Sequence, residues 1–88
     1  MTAIKKSDER ISEASVDDEV VVMRLDSGEF FSLTGTGATI WRLIDGRRDR
    51  EELLSALADE YHAEEDQLAG DLDAFLRQLS DNGILATS

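Results

Sequence analysis

Two apolar rhythms divide the chain. From Glu19 to Thr34 the period is two, and from about Ile40 onward it lengthens to about 3.6, the change expected where strands give way to helices. Glu19-Val-Val-Val-Met-Arg-Leu25 is the clearest strand, because its β-branched run suits a pleated surface. Asp26-Ser27-Gly28 supplies a tight turn, with Gly28 able to take a positive φ, and Glu29–Thr34 returns as the second arm of a hairpin. Alternation places Phe31 and Leu33 on one face of that arm, and Phe30 and Ser32 on the other. Upstream, residues 10–16 alternate only weakly and predict a less regular first strand, closed by a turn at Asp17-Asp18. Residues 1–9 read as a flexible polar tail or the lead-in to a first strand, and residues 10–86 as a single domain.

Three helices follow. Gly35-Thr36-Gly37 reads as a turn, after which Ile40, Trp41, Leu43 and Ile44 line one side of a short helix that Gly46 is placed to cap. Asp49 and Glu52 have capping-box spacing, opening a second helix whose buried stripe is Leu53, Leu54, Leu57, Ala58 and Tyr61. Glu64-Glu65-Asp66 set negative charge on the first turn of a third helix, where the macrodipole favours it, and Gly83 ends that helix. Ile84-Leu85 trail off as a short extended piece. Two or three antiparallel strands cannot cover their own apolar face, so the helices must pack on them. The fold class is a small α+β domain.

Composition narrows the chemistry. In 88 residues there are no cysteines and one histidine, which excludes disulfides, thiolate metal sites, cysteine nucleophiles and multi-histidine centres within the chain. The net charge of −11 is uneven: residues 49–88 hold two basic residues against eleven acidic ones. Such a surface repels phosphate, so neither nucleic acid nor an anionic membrane is an expected partner. With no long apolar run and no signal peptide, the expected compartment is the cytoplasm. His62, among acidic neighbours, lacks a motif that would make it a general base. The 64–66 cluster lacks calcium-loop spacing, and Gly35-Thr36-Gly37 lacks the lysine of a phosphate loop. No catalytic residue, cofactor or metal site is expected.

The edge of the sheet carries the functional signal. The strand over Glu29, Phe30, Phe31, Ser32, Leu33 and Thr34 has one charge and no proline, so as an edge it is poorly guarded. Sheets that receive a peptide strand look like this, unless the chain's own helices or a homodimer cover the edge. In the third helix, at roughly 100° per residue, Leu68, Leu72, Phe75 and Leu79 form a narrow stripe. Ala69 and Leu76 widen it on one side only. That shape suits a helix that packs on the sheet and also floors a groove; one leucine in excess is the plainer explanation.

The stretch from Asp26 through Phe30, Phe31 and Leu33 to Ile40-Trp41 resembles the D-x-x-G-x-(aromatic)-x-x-L-N-x-x-G-x-x-I-W pattern of PqqD-like proteins. Leu43-Ile-Asp-Gly46, the 71–79 segment with its Phe75-Leu76 pair, and Gly-Ile-Leu at 83–85 continue the match, which spans about residues 16–86. Thr34 departs from it, standing where the pattern has asparagine. The family includes stand-alone proteins that bind lasso-peptide leaders. The resemblance implies a winged-helix-like domain that recognises the leader of a ribosomally made precursor peptide and presents it to a maturation enzyme such as a leader peptidase, a cyclase or a radical-SAM protein. It implies that the leader adds as an antiparallel strand to Glu29–Thr34 and lies in a groove lined by Phe30 or Phe31 with Leu72, Phe75, Leu76 and Leu79; Ala69, which widens the same helix stripe, is taken with them. Two other classes compete. A DNA-binding winged helix is disfavoured, since residues 63–82 contain only Arg77 against six acids. An acidic adaptor for a basic protein would use the 49–88 half and would be sharply salt-sensitive.

Overall fold

The structure, a computed structural model, describes residues 3–7 and 9–86. In chain order the elements are β1 (Lys5–Lys6), β2 (Ile11–Val16), β3 (Glu19–Arg24), β4 (Phe30–Leu33), α1 (Gly35–Leu43), α2 (Arg50–Tyr61), α3 (Glu65–Asp81) and β5 (Leu85–Ala86). Strands β2, β3 and β4 form an antiparallel sheet in that order, while β1 pairs with β5. The architecture is α+β, as the apolar rhythm predicts.

The turns form for local reasons. Asp17 takes a left-handed φ of 55°, a conformation that Asp tolerates, and closes β2 onto β3. Gly28 has a φ of 76°, and its N–H donates to the Arg24 carbonyl at 2.9 Å. One face of the sheet, with Ile11, Val20, Val22 and Leu33, is buried under the helices. Ala38, Ile40 and Trp41 of α1, Leu53, Leu54 and Leu57 of α2, and Leu72 and Leu79 of α3 complete the core. The capping box forms as its spacing predicts: the Glu52 N–H donates to Asp49 Oδ1 at 2.9 Å, and the Asp49 N–H to Glu52 Oε1 at 3.1 Å.

Several expectations need correction. Gly35 to Gly37 form the first turn of α1, with Thr34 as its N-cap, so the helix starts earlier than its apolar stripe. That helix ends at Leu43 with Ile44 as C-cap; Gly46, φ 82°, lies in the loop beyond because buried Ile44 turns inward in an extended conformation. Tyr61, the last residue of α2, is exposed, and its hydroxyl hydrogen-bonds Thr39 Oγ1 at 3.0 Å.

The tail assigned to residues 1–9 is partly structured. Lys5 and Lys6 pair with Ala86 and Leu85, the Ile4 N–H donates to the Arg48 carbonyl at 2.9 Å, and Ile4 packs against the core. A domain boundary at residue 10 therefore cuts off β1, whose pairing depends on a strand eighty residues away rather than on local pattern. The tail assignment for residues 1, 2 and 8, and the domain's far end beyond 86, lie outside the described residues. Among the described residues no helix is long and apolar enough to cross a membrane.

Candidate functional site

Being last in the order β2-β3-β4, strand β4 has one free edge. Two bonds fix which backbone groups line it. The Arg24 N–H donates to the Glu29 carbonyl at 2.7 Å, which makes Arg24 and Glu29 a hydrogen-bonded pair. Moving in steps of two, Val22·Phe31 and Val20·Leu33 are hydrogen-bonded pairs, whereas Met23·Phe30 and Val21·Ser32 are not. The other side of β3 agrees: the Leu25 N–H donates to the Arg10 carbonyl at 2.8 Å, so Met23 and Val21 bond toward β2. The N–H and C=O of Phe30 and of Ser32 therefore point out of the sheet. Among the described residues, no turn, loop or cap backbone bond uses them.

The same alternation sorts the side chains. Phe31 and Leu33 face the helices; Leu33 is buried and Phe31 half-buried against the core. Phe30 and Ser32 face solvent, with Phe30 69% exposed. Glu29 is exposed while its carbonyl is held in the ladder. Thr34 has left the strand, since its extended backbone and its carbonyl, bonded to the Ala38 N–H, begin α1. Strand β4 is thus one residue shorter at each end than the Glu29–Thr34 arm the sequence suggests.

On α3, Phe75 is half-buried and reaches Gly37 in the first turn of α1, just beyond β4. A Cβ on Gly37 would stand 3.0 Å from the Phe75 ring, so glycine here lets the ring lie against the backbone. Leu72 and Leu79, expected to line a groove, are 0% and 2% exposed and belong to the core. Ala69 and Leu76 are half-buried. At about 100° per residue they fall on the flank of Leu72 opposite to Phe75. That flank turns toward Asp73, which pairs with Arg50 at the start of α2 through bonds of 2.8 and 2.9 Å. Phe75 lies on the other flank and packs on α1, while Phe31 is the half-buried ring on β4 itself. Gly37 was missing from the sequence-based site because its role is the absence of a side chain, visible only once Phe75 is placed.

Trp41 is fully buried, as its apolar stripe predicts, and its surroundings come from distant strands. Its Nε1 donates to Glu13 Oε2 at 3.2 Å, and Lys6 Nζ sits 4.4 Å from the ring centroid while pairing with Glu13 at 3.6 Å. Charges elsewhere serve turns and helix contacts. The Arg24 guanidinium holds the Asp26 carboxyl below its usual range, the Arg50 guanidinium does so for Asp73, and the backbone N–H of Arg47 for Asp45. His62 is exposed at the C-cap of α2 with a φ of 51°. Two open concavities, about 570 and 290 Å³, flank β1, and neither is lined by β4 or α3. What β4 presents is a sheet edge.

Comparison with known proteins places this geometry. No curated protein matches the chain. Among solved structures, one described as TbiB1 in complex with the TbiA(β) leader peptide is 34% identical, superposes with a TM-score of 0.85 and covers 96% of each chain. A second, a lasso peptide synthetase B1 complexed with the leader peptide, is 25% identical with a TM-score of 0.81, covering 96% of this chain and 98% of its own. The family model for coenzyme PQQ synthesis protein D matches residues 19–85. With most of its length matched, from the central strand of the sheet to the last, the chain belongs to the PqqD family.

Proposed function

We propose that this protein is a non-catalytic recognition module that binds the leader segment of a ribosomally synthesised precursor peptide by strand addition to β4. The observation that carries the reading is the open β4 edge, where the outward backbone groups of Phe30 and Ser32 flank the half-buried ring of Phe31. Two structures of similar chains contain leader peptides. An antiparallel incoming strand has four backbone hydrogen bonds open to it, at Phe30 and Ser32. At about 0.5–1.5 kcal/mol each, they contribute roughly 2–6 kcal/mol. Micromolar affinity needs about 8 kcal/mol. One or two apolar leader side chains, at about 1.5–3 kcal/mol each, must make up the difference. Their place is the helix-facing side, over Phe31 and Phe75. Backbone bonds supply docking, and these contacts supply selection.

The module then presents the precursor in the cytoplasm to a maturation enzyme, such as a leader peptidase, a cyclase or a radical-SAM protein. The test is an NMR amide-shift titration of labelled protein with synthetic TbiA(β) leader peptide. Shifts concentrated at residues 29–34 and in α3, with affinity only mildly weakened by salt, support leader recognition. The absence of shifts at β4 refutes it. Salt-sensitive shifts across 49–66 under a basic protein ligand would instead favour the acidic adaptor.

A further inference from the structure

We propose that the bound leader is also read on the solvent side of the sheet, by an apolar and preferably aromatic side chain seated on Phe30 beside Met23. The proposal rests on the strand-addition reading and deepens it, because it names a second specificity contact and the leader chemistry that fits it. The starting observation is Phe30, 69% exposed and the most exposed large apolar residue of the core-forming sheet. Met23, 37% exposed, stands directly opposite it on β3 in a pair without mutual backbone bonds, the geometry in which cross-strand side chains come closest. Met23 thus stands beside one flank of the ring. The other flank faces the open edge.

Register decides what covers that second flank. The leader residue that bonds the outward N–H and C=O of Phe30 must project its side chain to the same face as Phe30, because directly paired residues share a face. It extends the cross-strand row Ser12–Met23–Phe30 by one place. Paired Cβ atoms lie about 4.5–5.5 Å apart, within reach of ring-on-ring contact. The neighbouring row, Ala14–Val21–Ser32, ends in a small polar side chain. The leader residue bonded to Ser32, two positions earlier in an antiparallel strand, therefore gains nothing from a large apolar group. The residue between them faces inward, opposite Phe31. The matching segment reads as small or polar, then inward apolar, then outward aromatic.

A double-mutant cycle tests this. Calorimetric titrations compare wild-type protein and Phe30→Ala against the TbiA(β) leader peptide and a set of its single-alanine variants, with thermal melts confirming that each protein is folded. The expected loss for Phe30→Ala is about tenfold. One outward leader position should show a similar loss in wild type and none further in Phe30→Ala, and Phe30→Tyr should restore binding. Wild-type affinity in Phe30→Ala overturns the proposal while leaving leader binding by β4 intact. A loss that couples to no leader side chain also overturns it, since the ring would then act only on the backbone edge. If the wild-type protein fails to bind the leader at all, the strand-addition reading itself fails.

Discussion

Replacing Ser32 by proline separates the edge from the fold. The N–H of Ser32 points away from β3, so a proline there breaks no bond of the β3–β4 ladder. Its ring would stand where an incoming carbonyl must approach. The substitution removes one of the four outward groups and crowds its neighbour, so both bonds at Ser32 are lost. Two bonds at about 0.5–1.5 kcal/mol each give roughly 1–3 kcal/mol, or about a 5- to 150-fold loss of leader affinity. Phe31→Pro is the contrasting variant. It cuts the ladder between Phe31 and Val22 and deletes a ring packed on the core, so it should unfold the domain. Affinity is read by titration of the TbiA(β) leader peptide, and folding by amide dispersion and thermal melting. Ser32→Pro that is folded and binds at wild-type affinity refutes strand addition at β4. Ser32→Pro that unfolds refutes the assignment of outward amides.

Three further substitutions probe the scaffold. Glu13→Ala leaves the buried Trp41 Nε1 without its acceptor; because the Glu13 side chain is 41% exposed and water can enter, the cost should sit near the low end of about 1–3 kcal/mol. That corresponds to a drop in Tm of about 4–8 °C per kcal/mol, followed by Trp41 fluorescence, and Glu13→Gln should recover most of it; an unchanged melt for Glu13→Ala would exclude the bond as a stabilising contact. His62→Gly relieves a left-handed backbone in a non-glycine residue, so thermal melting should show a gain of about 0.5–1 kcal/mol with leader binding unaltered. Asp73→Asn breaks the exposed pair with Arg50, at a cost below about 1 kcal/mol near neutral pH. The Asp73 carboxyl is held below 3.8, so this stabilisation is present above that value and fades as pH falls through the lowered one; denaturant melts of the variant and wild type should converge in acid.

Most of the fold was legible because its elements are locally specified. The β-branched run of β3, the turn at Gly28 and the Asp49–Glu52 box each announce themselves within a few residues. What escaped depends on distant partners. Strand β1 exists only against β5, and Lys6 and Glu13 acquire roles only through Trp41. The candidate site was legible in the same uneven way. Alternation alone separated Phe31 from Phe30 correctly. Periodicity on α3 marked an apolar stripe but could not divide core from rim, so Leu72 and Leu79 entered the groove although both are buried. Their substitution by alanine would test packing, at about 2–5 kcal/mol, rather than recognition.

The sheet has two edges, and they differ in what an added strand would meet. On β2 the same register argument points the backbone of Ile11, Glu13 and Ser15 outward. The helix-facing position there that corresponds to Phe31 is Glu13, which pairs with Val22 from the other side and is already tied to Trp41 and Lys6. A strand adding to β2 would meet a carboxylate and an ammonium at the place where β4 offers an aromatic ring, and charges at an edge are a standard guard against pairing. A second copy of this chain could satisfy the β4 backbone equally well, since an antiparallel β4–β4 pair is self-complementary. It would also bring together two molecules that each carry −11. A leader peptide can supply the inward apolar anchor that a second β4, whose own Phe31 is committed to its core, cannot. On the strand-addition reading, the β4 edge accepts an added strand through its backbone, and the net charge of −11 disfavours a second copy of this chain as that strand.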